Sequence, residues 1–172
     1  MRHHQIRRAI DAYAKAYGEL QALQDSDPSI PGGDQKTGAI GEYYVYRYLA
    51  VIHGEDNLAY GSHSEKGWDI EIRAGDKSKK IQVKTVSAFS KTRTISPIHC
   101  GWDELHIVYL SRSLYPLGYW QITDRSIVPI GKQLRSRKCA HPDRVGTGSK
   151  DLPFGPNLVE LLTGCLANDS AT

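Results

Sequence analysis

The sequence has no apolar run that could cross a bilayer. Its unbroken stretches are short, such as Ile107-Val108-Tyr109-Leu110, where about 20 residues are needed. No secretory leader pattern is visible either, because the basic start Met1-Arg2-His3-His4-Gln5 runs into Arg7-Arg8 rather than an apolar core. Cysteine is scarce. Cys100, Cys139 and Cys165 are odd in number and widely spaced, which argues against a disulfide framework and for a reducing, cytoplasmic setting. Close cysteine pairs are missing too, so His99-Cys100 and Cys139-x-His141, which together could offer four zinc ligands, are expected to be ordinary residues. Repeats and low-complexity tracts are absent. What remains is 172 residues, 40% hydrophobic and 24% charged. A chain of that length buries roughly 70% of its unfolded surface and is of the size expected for one domain, so disorder and fibres are excluded.

Charge is present but unevenly spread. The formal net charge is only +3, yet residues 1–76 carry 8 basic and 12 acidic side chains, residues 77–144 carry 13 and 4, and residues 145–172 carry 1 and 3. From residue 77 to residue 102 no acid accompanies Lys77, Lys79, Lys80, Lys84, Lys91 and Arg93, and a second cluster holds Lys132, Arg135, Arg137 and Lys138. A solvated face explains either cluster alone. Together they point to a polyanion, and basic residues scattered over strands and loops suit phosphate contacts better than base readout. Lys79, Lys80, Lys91, Arg93, Lys132, Arg135 and Arg137 are the candidate nucleic-acid contacts.

Periodicity divides the chain. Ile6, Ile10, Tyr13, Tyr17 and Leu20 lie on one face of a helix running to about residue 24, stopped by Asp25-Ser26-Asp27-Pro28. Residues 29–33 form a connector, and Asp34 is the expected N-cap of a second helix over 35–52, with Ile40, Tyr44, Tyr48 and Ile52 on its apolar face and His53-Gly54 at its end. The period then changes to two. Residues 68–73 and 81–86 alternate apolar and polar around the turn Gly75-Asp76-Lys77-Ser78, the pattern of a hairpin. Strands are expected at 105–110 and 118–123, a long irregular loop at 141–157, and a short closing helix from residue 157 to 162.

The hairpin carries the chemistry. Asp69 and Glu71 share one face of its first strand, and Gln82 and Lys84 one face of its second. If those faces coincide, two carboxylates, an amide oxygen and an ammonium converge, oxygen donors suited to a hard cation such as Mg²⁺ beside a lysine suited to developing phosphate charge. A cross-strand ion pair of Asp69 with Lys84 is the plainer alternative. Glu42 alone would be one more solvated helix carboxylate, but Gly38 and Gly41 beside it suggest a helix held close to the sheet. Trp68, Trp102 and Trp120 could stack on bases, although core packing is commoner.

The order of helix Gly41-Glu42, strand Trp68-Asp69 and strand Gln82-Val83-Lys84 resembles the PD-(D/E)xK nuclease superfamily, in the D…QxK variant of Mrr-like endonucleases. The resemblance covers about residues 35–90. It implies an α/β fold with a restriction-endonuclease-like core, a mixed central β-sheet flanked by α-helices. On that basis residues 1–172 form a single nuclease-like domain, with the N-terminal helix (1–30) and the loop and helix of 141–172 as peripheral elements. The resemblance implies Asp69, Gln82, Lys84 and Glu42 as catalytic residues. It places the metal on Asp69, Gln82, the backbone carbonyl of Val83, and Glu42. No proline precedes Asp69, and Gln82 stands where the common pattern has a second carboxylate. Glu71 is left as a neighbour. The expected function is that of a cytoplasmic, Mg²⁺-dependent endodeoxyribonuclease, with Mn²⁺ as a substitute metal and DNA as partner; a homodimer is compatible, a membrane is not expected. Two alternatives stay open, a non-catalytic nucleic-acid-binding or structural subunit of the same fold, and a nuclease that cleaves RNA.

Overall fold

A computed structural model of the protein describes residues 2–26, 36–62, 67–125, 133–134, 137–139, 142 and 155–168. In chain order these form α1 (Arg2–Ser26), α2 (Lys36–His53), a 3₁₀ turn (Glu55–Asn57), β1 (Leu58–Tyr60), β2 (Ile70–Ala74), β3 (Lys77–Ser87), β4 (Thr94–Ile95), β5 (Ile98–His99), β6 (Glu104–Leu110), β7 (Pro116–Ile122), β8 (Gln133–Leu134), β9 (Arg137–Lys138) and α3 (Val159–Asn168). Five strands make one mixed sheet in the order β1-β2-β3-β6-β7, with β3 and β6 parallel and the other neighbours antiparallel.

Alternation along the strands sorts the core onto the two faces of that sheet. Ile70, Ile72, Ile81, Val83, Val108, Leu110 and Tyr119 face a core shared with all three helices. Val86, Leu105, Ile107, Tyr109 and Trp120 face a second core. Strand β6 is buried on both sides from Leu105 onward, which is why, His106 apart, it reads as an apolar run and why it sits beside its parallel partner inside the sheet. Helices thus cover one face. On the other, among the described residues, the expected flanking helix is replaced by the short antiparallel pairs β4·β9 and β5·β8, which bring Ile95, Ile98 and Cys139 onto the sheet. Strands of two or three residues, β1 included, carry no readable alternation, and none was visible in the sequence.

Helix α1 runs two residues further than expected and buries Ile10, with Ile6, Tyr13 and Tyr17 packed around it, but Leu20 is 44% exposed. In α2, Ile40, Tyr44 and Tyr48 face the core as expected, whereas Ile52 is 51% exposed because the helix has passed beyond the sheet. Asp34, the connector 29–33 and most of the loop 141–157 lie outside the described residues. The hairpin turn is tighter than expected: only Gly75 and Asp76 are in it, with Gly75 at φ 60°, and Lys77 and Ser78 already pair with Ala74 and Arg73. Strand β7 begins two residues earlier than expected and ends at Ile122, and α3 starts two residues later and continues to Asn168.

Of the two glycines in α2, only one has a packing reason. A Cβ on Gly41 would overlap the Thr85 hydroxyl and stand 2.8 Å from its Cγ2 and 2.9 Å from its Cβ, while one on Gly38 would meet nothing within 4 Å. Gly41 therefore lets α2 lie directly on β3, and Glu42 follows it in the chain. Alanine adds about 1 kcal/mol of helix propensity, but overpacking costs about 1–3 kcal/mol, towards the upper end when the obstacle includes a Cβ. Urea unfolding should show Gly41→Ala destabilised and Gly38→Ala unchanged or slightly stabilised; equal effects at both positions would remove close approach as the reason for Gly41.

Candidate active site

Strand β2 pairs with β3 only as far as Ile81, opposite Ile70, while β3 continues to Ser87. The sheet therefore has a notch on the β2 side of β3, and Asp69 stands at its lip. The Asp69 main chain is locked from both sides: its N–H donates to the Ile81 carbonyl at 2.8 Å and its carbonyl accepts the Gly61 N–H at 2.8 Å. Its carboxylate Oδ2 accepts the Val83 N–H at 2.7 Å. One step beyond the Ile70–Ile81 rung, Asp69 and Gln82 share a face, and Lys84 follows on the same side of β3.

Gln82 is 1% exposed, and its amide Nε2 donates to the Gly67 carbonyl at 3.0 Å. That bond ties down the segment leading into Asp69. Trp68 lies between: its ring sits against Gly61, leaving a Cβ there only 3.2 Å from Cζ3, and the Lys80 ammonium lies 5.3 Å from the ring centroid. Trp102 and Trp120 are core residues of the second face.

Burial pushes the Asp69 carboxyl above its ordinary value, against the pull of the Val83 N–H and the Lys84 charge. Burial pulls Lys84 below its ordinary value, against the charges of Asp69 and Glu42. The two groups are thus driven towards each other in acidity, an arrangement concentrated at functional sites. Glu42 enters from α2, and its field reaches Lys84. The structure therefore brings Asp69, Gln82, Lys84 and the charge of Glu42 to one notch.

Glu71 is not part of it. Its carboxylate accepts from Arg73 Nε at 2.9 Å, and that bond, with help from Ser78, holds it below the ordinary carboxylate range. The convergence of two hairpin carboxylates fails because Glu71 stands opposite Lys80, two residues nearer the turn. The candidate nucleic-acid contacts are partly engaged within the chain: Lys79 pairs with Glu104, and Lys91 with Asp25 at 2.7 Å. Lys132, Arg135 and the side chain of Arg137 lie outside the described residues. Cys139 is buried and Cys100 exposed, His141 is outside the described residues, and no cluster of three metal-binding His, Cys, Asp or Glu occurs among the described ones.

One polar group went unnoticed in the sequence. His106 is fully buried on the helix side of β6, with Nδ1 2.8 Å from the Tyr119 hydroxyl and Nε2 3.2 Å from Glu104. Glu104 is held down to about 2 by its bond to His106, then by Lys79, while burial keeps His106 below its ordinary value. This network lies on the face opposite Asp69, Gln82 and Lys84, and its only signal in the sequence was a histidine inside an apolar run. No helix among the described residues is long and apolar enough to cross a membrane.

No family model matches the sequence, and no curated protein matches it. Among solved structures, the bacterial homing endonuclease I-Ssp6803I is similar over 82% of this chain and 100% of that one, at 14% identity and a TM-score of 0.38. A likeness of that size settles neither the core architecture nor an activity.

The raised Asp69 value has a definite consequence for stability. Because the folded state holds this proton more tightly than the unfolded chain, the contribution of Asp69 is fully present below the ordinary value of 3.8 and is lost as pH rises through the raised folded value. Compared with Asp69→Asn by urea unfolding, the parent should lose stability relative to the variant as pH rises, and the variant should be the more stable at neutral pH. A variant less stable there would mean that the Val83 bond and the Lys84 attraction outweigh burial.

Proposed function

We propose that the protein is a divalent-metal-dependent nuclease that hydrolyses DNA phosphodiester bonds, built on a restriction-endonuclease-like core. The observation that carries this is the notch, where a desolvated carboxylate, a desolvated lysine and an amide gather at the end of a strand pair within the field of a helix-borne carboxylate. The element order supports it as well: a helix with Glu42, three antiparallel strands bearing Asp69 and then Gln82-Val83-Lys84, and a crossover to a parallel fourth strand.

The donor set fits Mg²⁺ or Mn²⁺. All its donors are oxygens, and a hard cation needs only one or two carboxylates with water filling the remaining positions. Asp69 and Glu42 would hold it, with the Gln82 amide oxygen and the Val83 carbonyl as neutral donors. When bound, such an ion supplies Lewis-acid stabilisation of the phosphate and orients water. The residues of the chain do the rest. The Val83 N–H fixes which Asp69 oxygen faces inward. Lys84, part-desolvated, positions the attacking water and stabilises charge growing on the phosphate, where a low local dielectric strengthens its effect. Lys79, Lys80, Lys91 and Arg93 reach backbone phosphates; the Lys91–Asp25 pair is exposed, and such pairs are generally worth no more than about 1 kcal/mol and are readily exchanged for a phosphate.

A second reading, a nucleic-acid-binding subunit without catalysis, is favoured by one observation: the Gln82 amide already serves the Gly67 carbonyl.

Two experiments decide. Asp69→Ala should abolish cleavage of duplex DNA, as EDTA should in the parent, while fold and DNA binding persist; cleavage at the parent rate would place the chemistry elsewhere. In metal titrations of activity, Gln82→Glu should lower the Mg²⁺ concentration required, since a charge replaces a neutral donor, without a matching gain in rate, because the new carboxylate also partly neutralises Lys84. An unaltered metal requirement would make Gln82 a residue that only positions the 67–69 segment.

A further inference from the structure

Away from the notch, a cavity of about 290 Å³ lies between α1 and the turn joining β6 to β7, lined by Asp11, Ala14, Lys15, Arg112 and Ser113. It opens at the carboxyl end of the parallel pair, where the Ala88 N–H donates to the Leu110 carbonyl at 2.8 Å. The turn is firmly built: the Ser111 N–H donates to the Tyr115 carbonyl at 2.8 Å, the Leu114 N–H to the Ser111 carbonyl at 3.0 Å, and the Tyr115 N–H to Ser111 Oγ at 3.1 Å.

The charges around this cavity do not balance. Asp11, its one acid, is bonded to Arg7 at 2.9 Å. Asp25, whose carboxylate also feels Arg112, is bonded to Lys91 at 2.7 Å. Neither Lys15 nor Arg112 has a carboxylate within ion-pair distance among the described residues. The Arg112 guanidinium lies 5.7 Å from the Phe89 ring centroid, which orients it without neutralising it. The Ser111 and Ser113 hydroxyls lie 2.8 Å apart beside the cavity. A guanidinium fork, an ammonium and a hydroxyl around a small cavity are the donor set of a tetrahedral oxyanion.

We infer that this cavity binds a phosphate group, supplied by the backbone of the nucleic acid that the notch cleaves; the source of the phosphate rests on the proposed function, the site itself does not. Lys84 and Ala88 are on one stretch of chain, and four residues of strand span about 13 Å. The cavity would hold a part of the bound nucleic acid away from the cut.

The test uses the full chain, with Lys15→Gln and Arg112→Met, the latter keeping its apolar stem over Phe89. Inorganic phosphate titrated into the parent should give saturable NMR shifts at the Arg112 side chain and at the amides of residues 111–115, and these should vanish in the double variant. In an Asp69→Asn background, the double variant should bind duplex DNA about tenfold more weakly at low salt, and its slope of log K against log salt should flatten by about one to two units, each single variant giving part of that change. Phosphate shifts with unaltered DNA affinity and slope would overturn the backbone as source and assign the cavity to a free phosphate-bearing molecule. No phosphate shifts and no change in DNA binding would overturn the inference entirely. Should the parent cut no nucleic acid while both responses appear, the nuclease reading fails and the phosphate site stands.

Discussion

The hydrogen bond from the Val83 N–H to the Asp69 carboxylate is where sheet and site become one object. It is made just beyond the last rung that β2 shares with β3, and a side chain, not a main-chain carbonyl, accepts it. Hydrogen bonds to charged groups contribute about 1.5–3 kcal/mol, yet Asp69 is still pushed up in pKa. Desolvation exceeds the bond. The bond thus serves geometry more than stability: it orients one carboxylate oxygen at the cost of taking a charge out of water. Lys84 is under the same stress with the opposite sign, and only their mutual attraction and the field of Glu42 offset part of it. A chain folding for stability alone has little reason to bury these two charges, because well-packed apolar residues often replace buried charges at no cost.

The rest of the sheet exists to make that position rigid. Strand β6 is buried on both faces, so from Ile81 to Ser87 β3 has a fixed neighbour on one side, and among the described residues the notch is open on the other. Gly41 fixes the third dimension, since without a Cβ α2 rests on Thr85, and the charge of Glu42 that follows it reaches Lys84. The helix face of the sheet is held by the larger core, with Tyr44 bonded through its hydroxyl to the Leu114 carbonyl at 3.0 Å. That bond links α2 to the β6–β7 turn, so the helix bearing Glu42 and the turn bearing Arg112 are held in one frame.

How much of this was legible follows from the physics of each signal. Long periodic stretches were: both N-terminal helices, the hairpin, β6 and β7 stand within a few residues of where alternation or helical spacing places them. The shared face of Asp69, Gln82 and Lys84 was legible for the same reason, because a period of two assigns residues to faces before any contact is known. Three kinds of feature were not. Strands of two or three residues have no period, so the layer that covers the second face left no trace. Leu20 and Ile52 continue the apolar stripes of their helices but lie past the end of what those helices pack against, and spacing alone does not say where the neighbour stops. Glu71 shares a face with Asp69, yet position along the strand matters as much as face: at the Lys80 rung its nearest cation is Arg73, and it is spent there.

Charge shows the same difference between chain and space in a sharper form. The acid-free run from residue 77 to residue 102 suggests an uncompensated basic surface, but acids from distant segments answer part of it: Glu104 meets Lys79, and Asp25, at the far end of α1, meets Lys91. Conversely, Lys15 belongs to the segment richest in acids and Arg112 to a short serine-rich turn, and these two are left without a carboxylate among the described residues. Folding redistributes the sequence blocks of +9 and −4. Coulomb attraction between exposed charges falls off within about a Debye length, ~8 Å at physiological ionic strength, so a phosphate responds to the charges gathered around it and not to the block they came from. The cations open to a phosphate are therefore those whose neighbouring acids are already paired with something else, and by that criterion Lys15 and Arg112 qualify, with Asp11 held by Arg7 and Asp25 by Lys91, whereas Lys84 stays under the fields of Asp69 and Glu42.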